Sequence, residues 1–311
     1  MSRLPALLRH LAESYVAVLV IALTIGLFVP SVGRQLSPYS TFILQSIFFL
    51  SALKLDLKSV AREMRNWRAV ALANAFMLMA FPAVGYLLAR LFAPQYALPV
   101  LILAAMPAGM TTPLLAELVG GSAAFALVLT VTTSLLAPVT VPLVIQWLAG
   151  AAVEVSFLTM FLSLLSVIIA PFALGQLVRA FMKKRIDATS FAFKPVSLTL
   201  LGLLIVSVIA KQAEAILGNG RLLVEGLAVL IVYFVLAHAA GFFGFPWLRR
   251  DLRLSTTVCL SYMNFTLAIY LAGRFFPQPE VLVPVVLSVI PWSVGIIPFR
   301  ALTRRARYHA G

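Results

Sequence analysis

Apolar residues run along this chain in blocks that are long by the standard of a soluble helix, separated by short stretches in which the basic residues collect. Roughly 20 residues are needed to cross a ~30 Å hydrocarbon core. Ten blocks approach or exceed that, at about 14–33, 39–54, 68–92, 96–119, 122–149, 155–181, 195–217, 222–247, 254–276 and 279–301. The pattern predicts an all-α integral membrane protein of ten transmembrane helices. The polar connections at 54–68 and 182–194 are too short for a soluble domain between the spans. After the first block no small-residue cleavage site follows Val29, which predicts a retained span rather than a signal peptide.

Two of the blocks contain polar interruptions. PAGMTTP at 107–113 sits inside the fourth, and SYMNFT at 261–266 inside the ninth. Pro107 removes a donor and disfavours helix at Met106, Gly109 permits unusual backbone angles, and Pro113 suits the first turn of a new helix. The first motif therefore predicts two half-helices around an unwound stretch, with Thr111 or Thr112 as the cap of the second. SYMNFT lacks proline and glycine, so its case rests on Ser261, Asn264 and Thr266, preceded by Ser255, Thr256 and Thr257. A buried asparagine in a span either ties helices together or meets a ligand. Thr130, Thr132, Thr133 and Ser134 form a hydroxyl row in the fifth span that reads equally as interhelical packing.

The punctuation recurs at a near-constant offset: Pro138 lies 153 residues before Pro291, and the break at Pro107 a similar distance before that near Leu260. Five spans per half is odd, so residues 1–151 and 152–311 are predicted to be inverted repeats, spans 1–5 and 6–10. Broken helices at corresponding places in such repeats point to a transporter's binding site.

Composition and charge then narrow the class. At 62% hydrophobic, 11% charged and a mean hydropathy of +1.04, the chain is no ordinary soluble domain. The net charge of +14 follows the loops rather than one face or a tail, which excludes nucleic acid as the simplest reading. With the N-terminus inside, 19 of the 24 Lys and Arg fall on the cytoplasmic side. These include Arg3, Arg9, Lys54, Lys58, Arg62 and Lys194, while Arg34, Arg90, Lys211, Arg221 and Arg274 remain outside. That bias predicts both termini in the cytoplasm; the membrane itself is expected to be a bacterial inner membrane. The single cysteine, Cys259, excludes an internal disulfide and a cysteine-rich metal site. No HExxH motif, acidic pair or triad pattern is present, so the chain is not expected to be an enzyme and no cofactor is called for. Among deep titratable groups, His238 reads as a packing residue or a proton relay.

Residues 107–142 and 255–268, with the Phe81–Pro82 pair, resemble the bile acid:sodium symporter family, and the resemblance covers nearly the whole chain. It implies a core from spans 3–5 and 8–10, with helices 4 and 9 discontinuous and crossing, and a panel from spans 1, 2, 6 and 7. It further implies a small organic anion bound beside the crossing, moved by alternating access as a monomer or homo-oligomer in the lipid bilayer. The substrate-side residues so implied are Gly109, Met110, Thr111, Thr112, Asn264, Phe265 and Thr266. A residual cation site would comprise Thr112, Thr130, Cys259, Ser261 and Met263. Where the family places sodium ligands, this chain has Pro113, Ala126, Met77, Cys259 and Met263, leaving no carboxylate at the crossing. Sodium coupling by the usual chemistry is therefore not expected, and Asn74 is a candidate compensating polar group. The rivals are a sodium-coupled symporter with a weakened site, a non-transporting sensor or scaffold, and an arsenite-type carrier, the last lacking its fourth-span cysteine here.

Overall fold

The computed structural model describes residues 15–55, 60–61, 64–150 and 155–308. Arg3, Arg9, Lys58 and Arg62 lie outside these residues, as does the expected boundary between the halves near 151.

Among the described residues the secondary structure is helical. The helices, in chain order, are α1 (Tyr15–Phe28), α2 (Pro30–Leu36), α3 (Ser40–Lys54), α4 (Trp67–Ala75), α5 (Phe81–Phe92), α6 (Ala97–Ala104), α7 (Thr112–Val119), α8 (Ala123–Ala149), α9 (Phe157–Leu164), α10 (Ala170–Thr189), α11 (Phe193–Ile209), α12 (Ala213–Leu217), α13 (Gly220–Phe243), α14 (Arg250–Ser261), α15 (Phe265–Phe275), α16 (Pro279–Leu287) and α17 (Val289–Tyr308). Among the described residues six continuous stretches are long and apolar enough to cross a membrane: Pro30–Lys54, Trp67–Phe92, Ala123–Ala149, Phe157–Ile209, Gly220–Phe243 and Pro279–Thr303. Pro94–Ala104 and Phe265–Phe275 are apolar but shorter. The 53-residue stretch cannot be one crossing, since at 1.5 Å per residue it would be about 80 Å long. It leaves helical geometry at Met182 and tightens at Ser190–Ala192, and its two arms, α10 and α11, both pack on α3.

Two long helices carry a π-helical turn, Phe76–Ala80 and Leu165–Ile169, each followed within two residues by a proline, Pro82 or Pro171. A proline has no N–H to return to the carbonyl four residues back, and the hydrogen-bond register slips by one instead. The polar connection between α7 and α8 is fixed differently. Gly120 ends α7 with φ 84°, the left-handed conformation that glycine adopts without strain. Ser255 of α14 then clasps Ser122, accepting its N–H at 2.8 Å and donating to its carbonyl at 2.9 Å. Ser255, Thr256 and Thr257 are all fully buried, so this hydroxyl run packs inside the protein.

Helix packing sorts into two groups. Helices α1, α2 and α3 pack on α11, and α10 packs on α3. Helices α5 to α8 pack with α13, α14 and α16 through the pairs α5–α6, α6–α16, α7–α8, α8–α14 and α13–α14. Between the groups, α15 contacts both α3 and α11. That seam positions the site.

Candidate functional site

Helix α6 stops at Ala104 and α7 begins at Thr112; α14 stops at Ser261 and α15 begins at Phe265. The two non-helical segments meet. Ala108 and Met263 form an antiparallel bridge, with Gly109 N–H donating to Tyr262 C=O at 2.9 Å and Asn264 N–H to Pro107 C=O at 2.8 Å. Backbone freed by one interruption is thus satisfied by the other, as an apolar interior requires. Neighbouring helices supply what remains: Thr133 Oγ1 of α8 accepts the Ala108 N–H at 3.1 Å, and Trp292 Nε1 of α17 donates to Met263 C=O at 3.3 Å.

Close approach needs a glycine here. A Cβ on Gly109 would fall 2.7 Å from Tyr262 O and 3.2 Å from Met263 O, both backbone atoms. On the other strand, Asn264 caps α15, its Oδ1 accepting the Leu267 N–H at 3.1 Å. So the side-chain carbonyl of the asparagine starts a helix, while the residue still lines the cavity in front. Its Nδ2 remains available. Thr111 occupies the corresponding cap position of α7, but its side chain makes no capping bond.

In front of the paired segments lies a cavity of about 160 Å³. Six of the seven expected substrate-side residues, Gly109, Met110, Thr111, Asn264, Phe265 and Thr266, line it. Thr112 does not: it is fully buried and turned away, its hydroxyl 2.7 Å from that of Thr130. It therefore belongs with the second set of expected residues. The opposite wall comes from α3 and the start of α11, including Ser51, Lys54, Lys194 and Ser197. Lys54 and Lys194 are near enough for their like charges to repel, and Lys54 lies 5.7 Å from the Phe193 ring centroid. Sequence reading took both lysines only as markers of topology, since nothing local signals that residues 140 apart share a cavity.

Behind the paired segments Thr112, Thr130 and Cys259 gather. Two hydroxyl protons serve three contacts here: Thr112 Oγ1 with Gly109 C=O at 2.8 Å, Thr130 Oγ1 with Ala126 C=O at 2.8 Å, and the two hydroxyls with each other at 2.7 Å, while the Cys259 thiol also points at Ala126 C=O at 3.6 Å. Ser261 is buried with no hydrogen-bond partner, Met77 is a buried thioether, and Met263, also buried, lines the cavity in front. Asn74 is engaged elsewhere, exchanging hydrogen bonds with Thr132 at 2.9 and 3.2 Å. Among the described residues no group of three His, Cys, Asp or Glu side chains is placed to hold a metal ion. His238 touches the crossing indirectly: Nδ1 is 2.7 Å from Phe234 C=O and Nε2 is 3.2 Å from the Tyr262 hydroxyl. The first contact requires Nδ1 to carry a proton, and a neutral ring then accepts from the tyrosine.

A second basic cavity, of about 370 Å³, lies farther along the same seam and is lined by Thr41 of α3, Tyr270 and Arg274 of α15, Arg34 and Lys211. The Tyr270 hydroxyl is 3.2 Å from both Thr41 Oγ1 and Ser163 Oγ. Between the cavities α15 is solid, with Leu267, Ala268 and Ile269 fully buried.

Apolar helices of spanning length and a cavity with a few polar groups at paired helix interruptions are the features of a multi-pass membrane transporter. The particular family is settled by comparison. The model of the sodium bile acid symporter family matches residues 41–219, more than half of the chain, and the protein belongs to that family. The match includes the first interruption and ends before the second. None of the curated proteins matches the chain at a significant level.

Proposed function

We propose that the protein is a secondary transporter of small organic anions, binding its substrate between the paired segments and the α3–α11 wall. The observation that carries this reading is the first cavity, where Thr111, Asn264 and Thr266 face Lys54 and Lys194. Hydroxyl and amide donors opposed to two ammonium groups suit a carboxylate or sulfonate, and α7 and α15 both begin there, adding the positive ends of two helix dipoles. The chain is read as ten spans in two inverted five-helix repeats. Helices α6–α7 and α14–α15 are its discontinuous fourth and ninth spans, and the α4–α8 and α13–α17 helices form a core that moves against a panel. Alternating access then has a physical route. Helix α15 contributes to a cavity at each end of the seam, and rocking the core would close one while opening the other. With the Lys54 and Lys194 end assigned to the cytoplasm by the basic-residue bias, both termini lie inside, in a bacterial inner membrane.

Coupling is read as facilitative or proton-driven. The family's name favours sodium, but the donor set behind the crossing does not fit a hard cation, which takes oxygen ligands. The carbonyls of Gly109 and Ala126 already accept hydrogen bonds from the Thr112 and Thr130 hydroxyls. What remains beside them is one unpartnered oxygen, the Ser261 hydroxyl, and the Cys259 thiol, a soft donor. The deciding experiment is uptake of labelled carboxylates and sulfonates into proteoliposomes, with and without a sodium gradient. Uptake that saturates without sodium supports the reading. Steep sodium dependence overturns the coupling assignment, and saturable binding without translocation would mark a sensor instead.

A further inference from the structure

A groove of about 750 Å³ runs between α13 and α17, away from the crossing. Its walls are apolar and exposed: Ile231, Val235 and Phe243 on one side, Val294 and Leu302 on the other. Both helices belong to stretches long and apolar enough to span a bilayer, so this face meets hydrocarbon. Gly295 and Pro298 keep the α17 side shallow, and His238 lies on the floor.

One end of the groove is basic. Arg250 lines it, held by a hydrogen bond from Nη2 to Thr303 C=O at 2.8 Å. Arg253 does not line the groove itself but stacks behind its wall, the guanidinium 4.4 Å from the ring centroid of the lining residue Phe242, with Nε buried and without a partner. Among the described residues neither pairs with a carboxylate; Asp251, between them in sequence, is taken by Arg249 at 2.7 Å. Two guanidinium groups thus stand without counter-ions where two spans end.

We infer that this groove is a binding site for an anionic phospholipid, with the phosphate on Arg250, the charge of Arg253 behind Phe242 adding to the attraction, and one acyl chain lying between Val235 and Val294 toward His238. Tails cannot supply the selectivity, because one acyl chain is as apolar as another and apolar burial drives nothing within lipid. The headgroup supplies it: a basic pocket between spans draws anionic lipid, and a guanidinium fork matches phosphate oxygens in pairs. The site is independent of the substrate cavity and of the coupling mode.

The test titrates the purified full-length protein with phosphatidylglycerol or phosphatidylcholine of identical chains and counts bound lipid by native mass spectrometry. Two arginines predict a preference for phosphatidylglycerol of roughly 30-fold. A phosphatidylglycerol carrying a diazirine on its acyl chain should label peptides from 231–243 and 290–303. The folded double variant Arg250→Gln/Arg253→Gln should lose most of the preference, and Val294→Trp should reduce labelling by filling the groove. Equal retention of the two lipids, labelling confined to other helices, or an undiminished preference in the double variant would overturn the assignment. Should the double variant fail to fold, the wild-type preference and the label map decide.

Discussion

Gly109 and Tyr262 lie 153 residues apart, yet the N–H of one donates to the carbonyl of the other at 2.9 Å. Their separation leaves no room for a side chain on Gly109, whose Cβ would approach Tyr262 O to 2.7 Å. Gly109→Ala should therefore force the strands apart. The expected loss is about 1–3 kcal/mol of stability for each buried backbone hydrogen bond left unmade, together with loss of transport. Thermal unfolding of the purified variant beside an uptake assay checks both; a fully active Gly109→Ala protein would show that the pairing does not matter to function.

Asn264 allows capping and substrate contact to be separated. Asn264→Asp retains an oxygen for the Leu267 N–H and favours the helix N-terminus, so the fold should hold. It removes the Nδ2 donor and adds a negative charge at the cavity, so anion uptake should fall sharply. Asn264→Ala loses the cap and should cost about 1 kcal/mol of stability as well. Equal uptake by the aspartate variant and the wild type would exclude Asn264 from substrate contact.

Lys54→Gln and Lys194→Gln should each raise the KM for an anionic substrate. Both lysines are exposed at the cavity mouth, where an ion pair is worth about 0.2–1 kcal/mol, so each effect should reach fivefold at most. Added salt should shrink the difference between variant and wild type, because exposed charges are screened. Uptake kinetics at low and high ionic strength decide; a changed maximal rate with an unchanged KM would point to folding or insertion instead.

Cys259 is fully buried, so the wild-type protein should resist membrane-impermeant thiol reagents. New cysteines can therefore report the two cavities separately. Ser51→Cys lies in the first and Thr41→Cys in the second. Saturating substrate and a gradient that drives turnover should change their labelling rates in opposite directions. Parallel changes would argue against a core that rocks between the two openings.

Thr130→Val removes the partner of Thr112 while leaving Thr112 bonded to Gly109 C=O. The expected cost is about 1 kcal/mol in unfolding free energy, with the response of uptake to sodium unchanged. A variant that gains or loses sodium dependence would place a cation among these hydroxyls after all.

The two interruptions differ in how plainly the sequence announces them. Pro107, Gly109 and Pro113 state the first in local terms, since each disfavours an uninterrupted helix. The second has no such residue: Tyr262 and Met263 leave the helix where they pair with Ala108 and Gly109, and Asn264 restarts it. Its geometry comes from a distant partner, which propensity does not encode. Thr112 shows the same limit in reverse. Adjacent threonines look interchangeable in sequence, but once α7 begins at Thr112 only Thr111 faces the cavity, while Thr112 faces Thr130. Composition and block length announced the membrane class, and the Phe81–Pro82 pair marks one of the two π-helical turns. Lys54 and Lys194 escaped because the bias that sorts loop charges across a bilayer also conceals any single charge doing something more.

The paired segments make each half of the chain the other's hydrogen-bonding medium. A fragment ending near residue 150 would carry the Gly109 N–H and Pro107 C=O into lipid without the Tyr262 and Asn264 groups that receive them, at several kcal/mol for each polar group left alone. The complementary fragment would carry the mirror deficit. Biogenesis therefore has an order imposed on it: the first interruption, once synthesised, must wait in water, in a chaperone or in the translocon until the second emerges more than a hundred residues later.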